Sequence, residues 1–161
     1  MNPRLVSVVT RNLACAIDVV AARFPKNLAL LSPAQHGVSP FTRMTYEELQ
    51  ETTSNIAVGL SSLGVPKGGM ILSDLPNVSE NLLLQIACSR IGAAYVTMKD
   101  AKGAESVMKQ GLISAICVAD PSSDHMFKGV TSVPLLSAMQ GGCSDDTFVS
   151  ILDLATSGLS D

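Results

Sequence analysis

Residues 70–98 read Met-Ile-Leu-Ser-Asp-Leu-Pro-Asn-Val-Ser-Glu-Asn-Leu-Leu-Leu-Gln-Ile-Ala-Cys-Ser-Arg-Ile-Gly-Ala-Ala-Tyr-Val-Thr-Met. Met70 to Ser73 is a short apolar run that reads as a strand, and Leu75-Pro76-Asn77 breaks it. Ser79 or Asn77 can cap the helix that follows. Leu82, Leu83, Ile86, Ala87 and Ile91 fall on its buried side, and Gly92 stops it. Ala93 to Met98 is the next strand. A strand, a helix and a second strand in this order predict an α/β fold. Its sheet is mixed and mostly parallel, with helices on its faces.

The pattern continues on both sides. Downstream, a weaker helix covers Gly103 to Gln110, and Ile113 to Ala119 is a β-branched apolar run that reads as a buried strand. Residues 121–146 are loop-rich with a short helical piece near Leu135 to Met139, and Phe148 to Leu154 forms a last strand. Upstream, Val65-Pro66-Lys67-Gly68-Gly69 is a turn. It follows a helix that Thr45 caps, with Glu48 three residues on in position to reach back to the cap amide. Leu49, Ile56, Leu60 and Leu63 give that helix one apolar face, and Gly64 ends it. Leu28–Leu31 and Phe41–Thr45 are two short strands. Leu13, Ala16, Ile17, Val20, Ala21 and Phe24 recur at helical spacing over residues 10–24, and Pro25 ends the helix.

The chain has 161 residues, 47% of them hydrophobic, which suits one domain over residues 10–161 with a core of its own. No apolar run reaches the roughly 18 residues that span a bilayer. A net charge of −3 argues against a nucleic-acid surface. Only 16% of residues are charged, against roughly 25% in a typical soluble domain. Either a serine-rich neutral surface or a surface covered by a partner accounts for that deficit. Cys15, Cys88, Cys117 and Cys143 are widely spaced without a C-x-x-C pair, so they read as reduced thiols in a reducing compartment and not as a zinc site. The first 17 residues carry Arg4 and Arg11 and no acid. Residues 1–9 therefore read as an extension or a mitochondrial targeting-like segment, or simply as the basic start of a cytoplasmic protein.

Several short motifs agree in order and spacing with one family. Thr45-Tyr46-Glu47-Glu48-Leu49, Gly59-Leu60 and Leu63-Gly64-Val65-Pro66-Lys67-Gly68 are followed by Leu75-Pro76-Asn77, Glu80 and Ala87-Cys88-Ser89-Arg90-Ile91-Gly92-Ala93-Ala94-Tyr95-Val96. Together they resemble the opening of the adenylate-forming superfamily, which includes acyl-CoA synthetases, luciferases and peptide-synthetase adenylation domains. The resemblance covers residues 10–119 well and the rest loosely. It implies the first subdomain of an acyl-CoA synthetase, and its motifs cap, turn and close a sheet without performing chemistry.

The family's phosphate-binding loop resembles Thr-Ser-Gly-Thr-Thr-Gly-x-Pro-Lys-Gly. Asp153-Leu154-Ala155-Thr156-Ser157-Gly158 is similar to its first half, and Leu159-Ser160-Asp161 follows in place of the second. Thr156, Ser157 and Gly158 are thus a remnant of the phosphate loop or a polar tail that matches by chance. The acid at Asp161 opposes phosphate. His36 and His125 lie far apart in loop sequence without acidic companions. Lys67 to Gly69 is too short for a Walker loop. The expectation is no catalytic residue, no cofactor and no metal. Two functional readings follow. In the first, the chain is a non-catalytic, acyl-CoA synthetase-like structural or accessory subunit, possessing other protein subunits as partners that cover its sheet, Phe148–Leu154 foremost. In the second, it is the N-terminal piece of a split or truncated acyl-CoA synthetase, a ligase that adenylates an acyl group with ATP. A small regulator binding acyl chains or CoA has no sequence signal behind it.

Overall fold

Asn12 opens the first helix, α1 (Leu13–Arg23), by accepting a hydrogen bond from the Cys15 amide at 2.9 Å. A computed structural model describes residues 12–34, 41–97, 106–107, 109, 113–118 and 131–134. After α1 come β1 (Leu28–Ser32), β2 (Thr42–Thr45), α2 (Tyr46–Ser62), β3 (Met70–Asp74), α3 (Ser79–Ile91), β4 (Ala94–Thr97), β5 (Ile113–Val118) and β6 (Thr131–Pro134). The capping box forms as its sequence predicts. The Glu48 amide donates to Thr45 Oγ1 at 3.3 Å, and Glu48 Oε2 accepts from the Thr45 amide at 2.7 Å. Two amides that the first turn of α2 would leave without partners are thereby satisfied.

β1 and β2 form an antiparallel pair apart from the main sheet. The main sheet has the strand order β4-β3-β5-β6, with every pairing parallel. α3 connects β3 to β4, and the next connection passes back to the far side of β3. Alternation sorts β3 and β5 into two faces. Ile71, Ala115 and Cys117 join the core cluster that includes Leu49, Ile56 and Leu60 of α2 and Leu83, Leu84 and Ile86 of α3. Leu72 and Ile116 pair on the opposite face and are buried as well. A sheet buried on both sides explains why these strands read as unbroken apolar runs.

Glycine is required where the loops cross. Gly92 ends α3 at φ 72°, a left-handed conformation that costs a side-chain-bearing residue energy, and the aliphatic stem of Lys67 lies over it. A Cβ on Gly69 would sit 2.6 Å from Ser114 Oγ and 2.8 Å from the Pro66 carbonyl. The two turns are stitched together by Gly68 N–H to Gly92 O at 2.8 Å and Ala94 N–H to Gly69 O at 2.7 Å.

Four expectations need correction. The N-cap of α3 is Val78, without a side-chain cap bond, and not Ser79 or Asn77. Ser79 instead faces Thr42, their hydroxyls 3.0 Å apart, which ties β2 to the start of α3. Leu82 is partly exposed while Leu84 is fully buried, because α3 lies between the sheet and two helices and a wider arc of it is covered. On α1, Ala14 and Ala21 are the buried residues, while Leu13 and the C-cap residue Phe24 are about half exposed. Small side chains there let α1 lie close to its neighbours. Finally, β6 lies in the stretch read as loop-rich. Thr-Ser-Val-Pro is too short to show a period, and Pro134 suits the last position of a strand at the edge of the described sheet. Of the helix expected at Gly103–Gln110, Ser106 and Val107 are described, and both are helical. The pieces at Leu135–Met139 and Phe148–Leu154 lie outside the described residues.

Ile56 and Val58 share one helix but have opposite burial, 0% and 53% exposed. Urea unfolding of Ile56→Ala is expected to show a loss of about 2–5 kcal/mol, with the range set by how far the cavity collapses. Val58→Ala is expected to fall within about 0.5 kcal/mol of the parent.

Candidate functional site

In open parallel sheets, ligands bind beyond the carboxyl ends of the strands, where the chain order reverses. Here that switch point lies between β3 and β5. The carboxyl end of β3 carries Ser73 and Asp74, then the Leu75-Pro76-Asn77 turn that feeds α3. Asn81, on the first turn of α3, organises the place. Its Oδ1 accepts a short hydrogen bond from the Tyr95 hydroxyl on β4 and lies 3.4 Å from Ser73 Oγ, and its Nδ2 donates to the Pro76 carbonyl at 3.3 Å. Ser73 Oγ also accepts from the Leu75 amide at 3.3 Å. Asn81 therefore fastens the turn, β3 and β4 to one helix.

Two carboxyl groups flank this network. Glu80 is buried at the start of α3 and accepts from Ser79 Oγ at 2.9 Å. Asp74 is half-buried at the strand end, and burial raises its carboxyl above the ordinary aspartate range. The polar groups of Ser73, Asn81 and Tyr95 are bonded to one another and acids lie beside them in sequence, which suits a joint between elements better than an anion pocket.

The glycine-rich turn before β3 is no phosphate cradle either. The amides of Gly64, Gly68 and Gly69 donate to Ser61 O, Gly92 O and Pro66 O at 3.0, 2.8 and 2.9 Å, so none of the three is turned toward a ligand. Among the described residues no group of three or more His, Cys, Asp or Glu side chains could hold a metal ion. Thr156, Ser157, Gly158, His36, His125 and Cys143 lie outside the described residues. Sequence reading passed over Asp74 and Asn81. An acid closing an apolar strand just before a Pro-Asn turn was the available signal for the first. The second rests on a contact between residues 14 positions apart.

The other cysteines divide by environment. Cys15 is a free, exposed thiol. Cys88 and Cys117 are buried, and burial pushes the Cys88 thiol up to about 12 and the Cys117 thiol up as well.

Residues 17–117 match the model of the AMP-binding enzyme family. The acetyl-coenzyme A synthetase of Herminiimonas arsenicoxydans is 32% identical over 107 residues, which cover 63% of this chain and 16% of that protein. The chain thus spans about 16% of the length of the curated relatives it matches. Among solved structures, the acetoacetyl-CoA synthetase of Streptomyces lividans superimposes with a TM-score of 0.68 at 19% identity, covering 89% of this chain and 25% of that one. The N-terminal subdomain of Klebsiella oxytoca NpsA, in complex with anthranilyl-AMSN, gives 0.60 at 19% identity, covering 90% and 32%. The shared fold is the parallel sheet with its helices.

In a Cys143→Ser background, a thiol reagent at neutral pH is expected to label Cys15 quickly in the folded protein. Cys88 and Cys117 should react only on unfolding, because a thiol so far from ionisation supplies almost no thiolate. Fast labelling of three thiols would show an open core. The raised Asp74 carboxyl has its own signature. The native state keeps this proton to a higher pH than the unfolded chain, so its contribution to stability falls as pH rises above the ordinary aspartate value. The melting temperature of Asp74→Asn relative to the parent is therefore expected to increase from pH 3 to pH 7. A constant difference would contradict the burial of that carboxyl.

Proposed function

The chain belongs to the AMP-binding enzyme family, and on that premise we propose that it serves as the scaffold of an acyl-CoA synthetase-type domain. It supplies the first parallel sheet and does not itself carry the chemistry. Adenylation belongs to other segments, whether on the same polypeptide or on a separate subunit. The named relatives are acetyl-coenzyme A synthetases, so the substrate class proposed for the complete domain is a short-chain carboxylate.

One observation carries this reading. The matched stretch runs from within α1 to within β5, and the amides of its glycine-rich turn and the Ser73, Asn81 and Tyr95 side chains at the switch point are engaged in holding elements to one another. Calorimetry with magnesium and ATP is expected to give a dissociation constant no tighter than millimolar for this chain. A micromolar value would overturn the proposal, because it would require a phosphate site that these residues do not form. Acetate-dependent pyrophosphate release on mixing the chain with a polypeptide bearing the remaining segments of such a synthetase would place the scaffold inside a catalytic domain. A stable but inactive complex would favour an accessory subunit.

The surface supports the need for a companion. Phe24, Leu28, Leu31 and Phe41 are each about half exposed around the β1–β2 pair. Apolar side chains gathered in one region of a surface poor in charge favour association. Light scattering of the isolated chain is expected to show oligomers, and a monodisperse monomer at high concentration would argue against an obligate partner. No described helix is long and apolar enough to cross a membrane.

A further inference from the structure

We draw no further inference here: the strongest candidate, the open groove of about 440 Å³ between α2 and α3 lined by Ala57, Val58, Ser61, Ser62, Arg90 and Ile91, is apolar apart from serine hydroxyls bonded within their own helix and a guanidinium already paired with Asp18, and nothing in the structure shows what covers it.

Discussion

Arg90 must be neutralised where it sits, and that requirement fixes how three helices meet. Its side chain is 13% exposed on the last turn of α3. Nε donates to Thr53 Oγ1 on α2 at 3.0 Å, and Nη1 donates to Asp18 Oδ2 on α1 at 3.1 Å. Nη2 adds an ion-pair contact of 2.8 Å to Asp18 Oδ1 without an aligned hydrogen bond. Gln50 of α2 donates to the same carboxylate at 3.1 Å. An unpaired charge so nearly buried costs several kcal/mol. α1 therefore cannot drift from α3 without stranding a guanidinium, and α2 is held to both. Position near the helix C-terminus helps as well, since a cation there meets the negative end of the dipole.

This knot decides what the sheet can be. With α2 and α3 held together, their apolar faces present one surface to Ile71, Ala115 and Cys117. Asn12 and Ala14 reinforce the arrangement at the start of α1, where Asn12 Nδ2 donates to Ser89 O at 3.2 Å and the Ala14 backbone amide to Ser89 Oγ at 3.3 Å. The polar joint around Asn81 then sets β3 against β4. Each of these contacts aligns elements, and none presents an unengaged group to a reactant. That is the physical basis of the scaffold role proposed above.

Local signals carried most of the fold. Thr45 with Glu48 marks the start of α2, and Gly92 marks the end of α3, because capping and left-handed turns involve residues only a few positions apart. Met70–Ser73 and Ile113–Ala119 announce strands through continuous apolar runs. What stayed hidden depends on distance along the chain. Asp18 and Arg90 are 72 residues apart, so neither residue alone shows that α1 is tied to α3. Leu13 and the capping Phe24 are exposed at the two ends of a helix that buries its alanines, and periodicity cannot weigh small residues against large ones. The Asn81 hub was not legible, because an asparagine near a helix start reads equally well as a cap.

The pairing of β3 with both β4 and β5 has a consequence for synthesis on the ribosome. β3 is the first strand of the parallel sheet to emerge, yet it ends as an interior one. Its partner on one side begins at Ile113, roughly 40 residues after Asp74, and at about 5–20 residues per second that is a wait of roughly 2–8 s. For that interval Ile71 and Leu72 have one unsatisfied backbone edge and an apolar side chain on each face. A nascent chain of this kind is a natural client for chaperones that bind extended hydrophobic strands, and its demand for them ends when β5 docks.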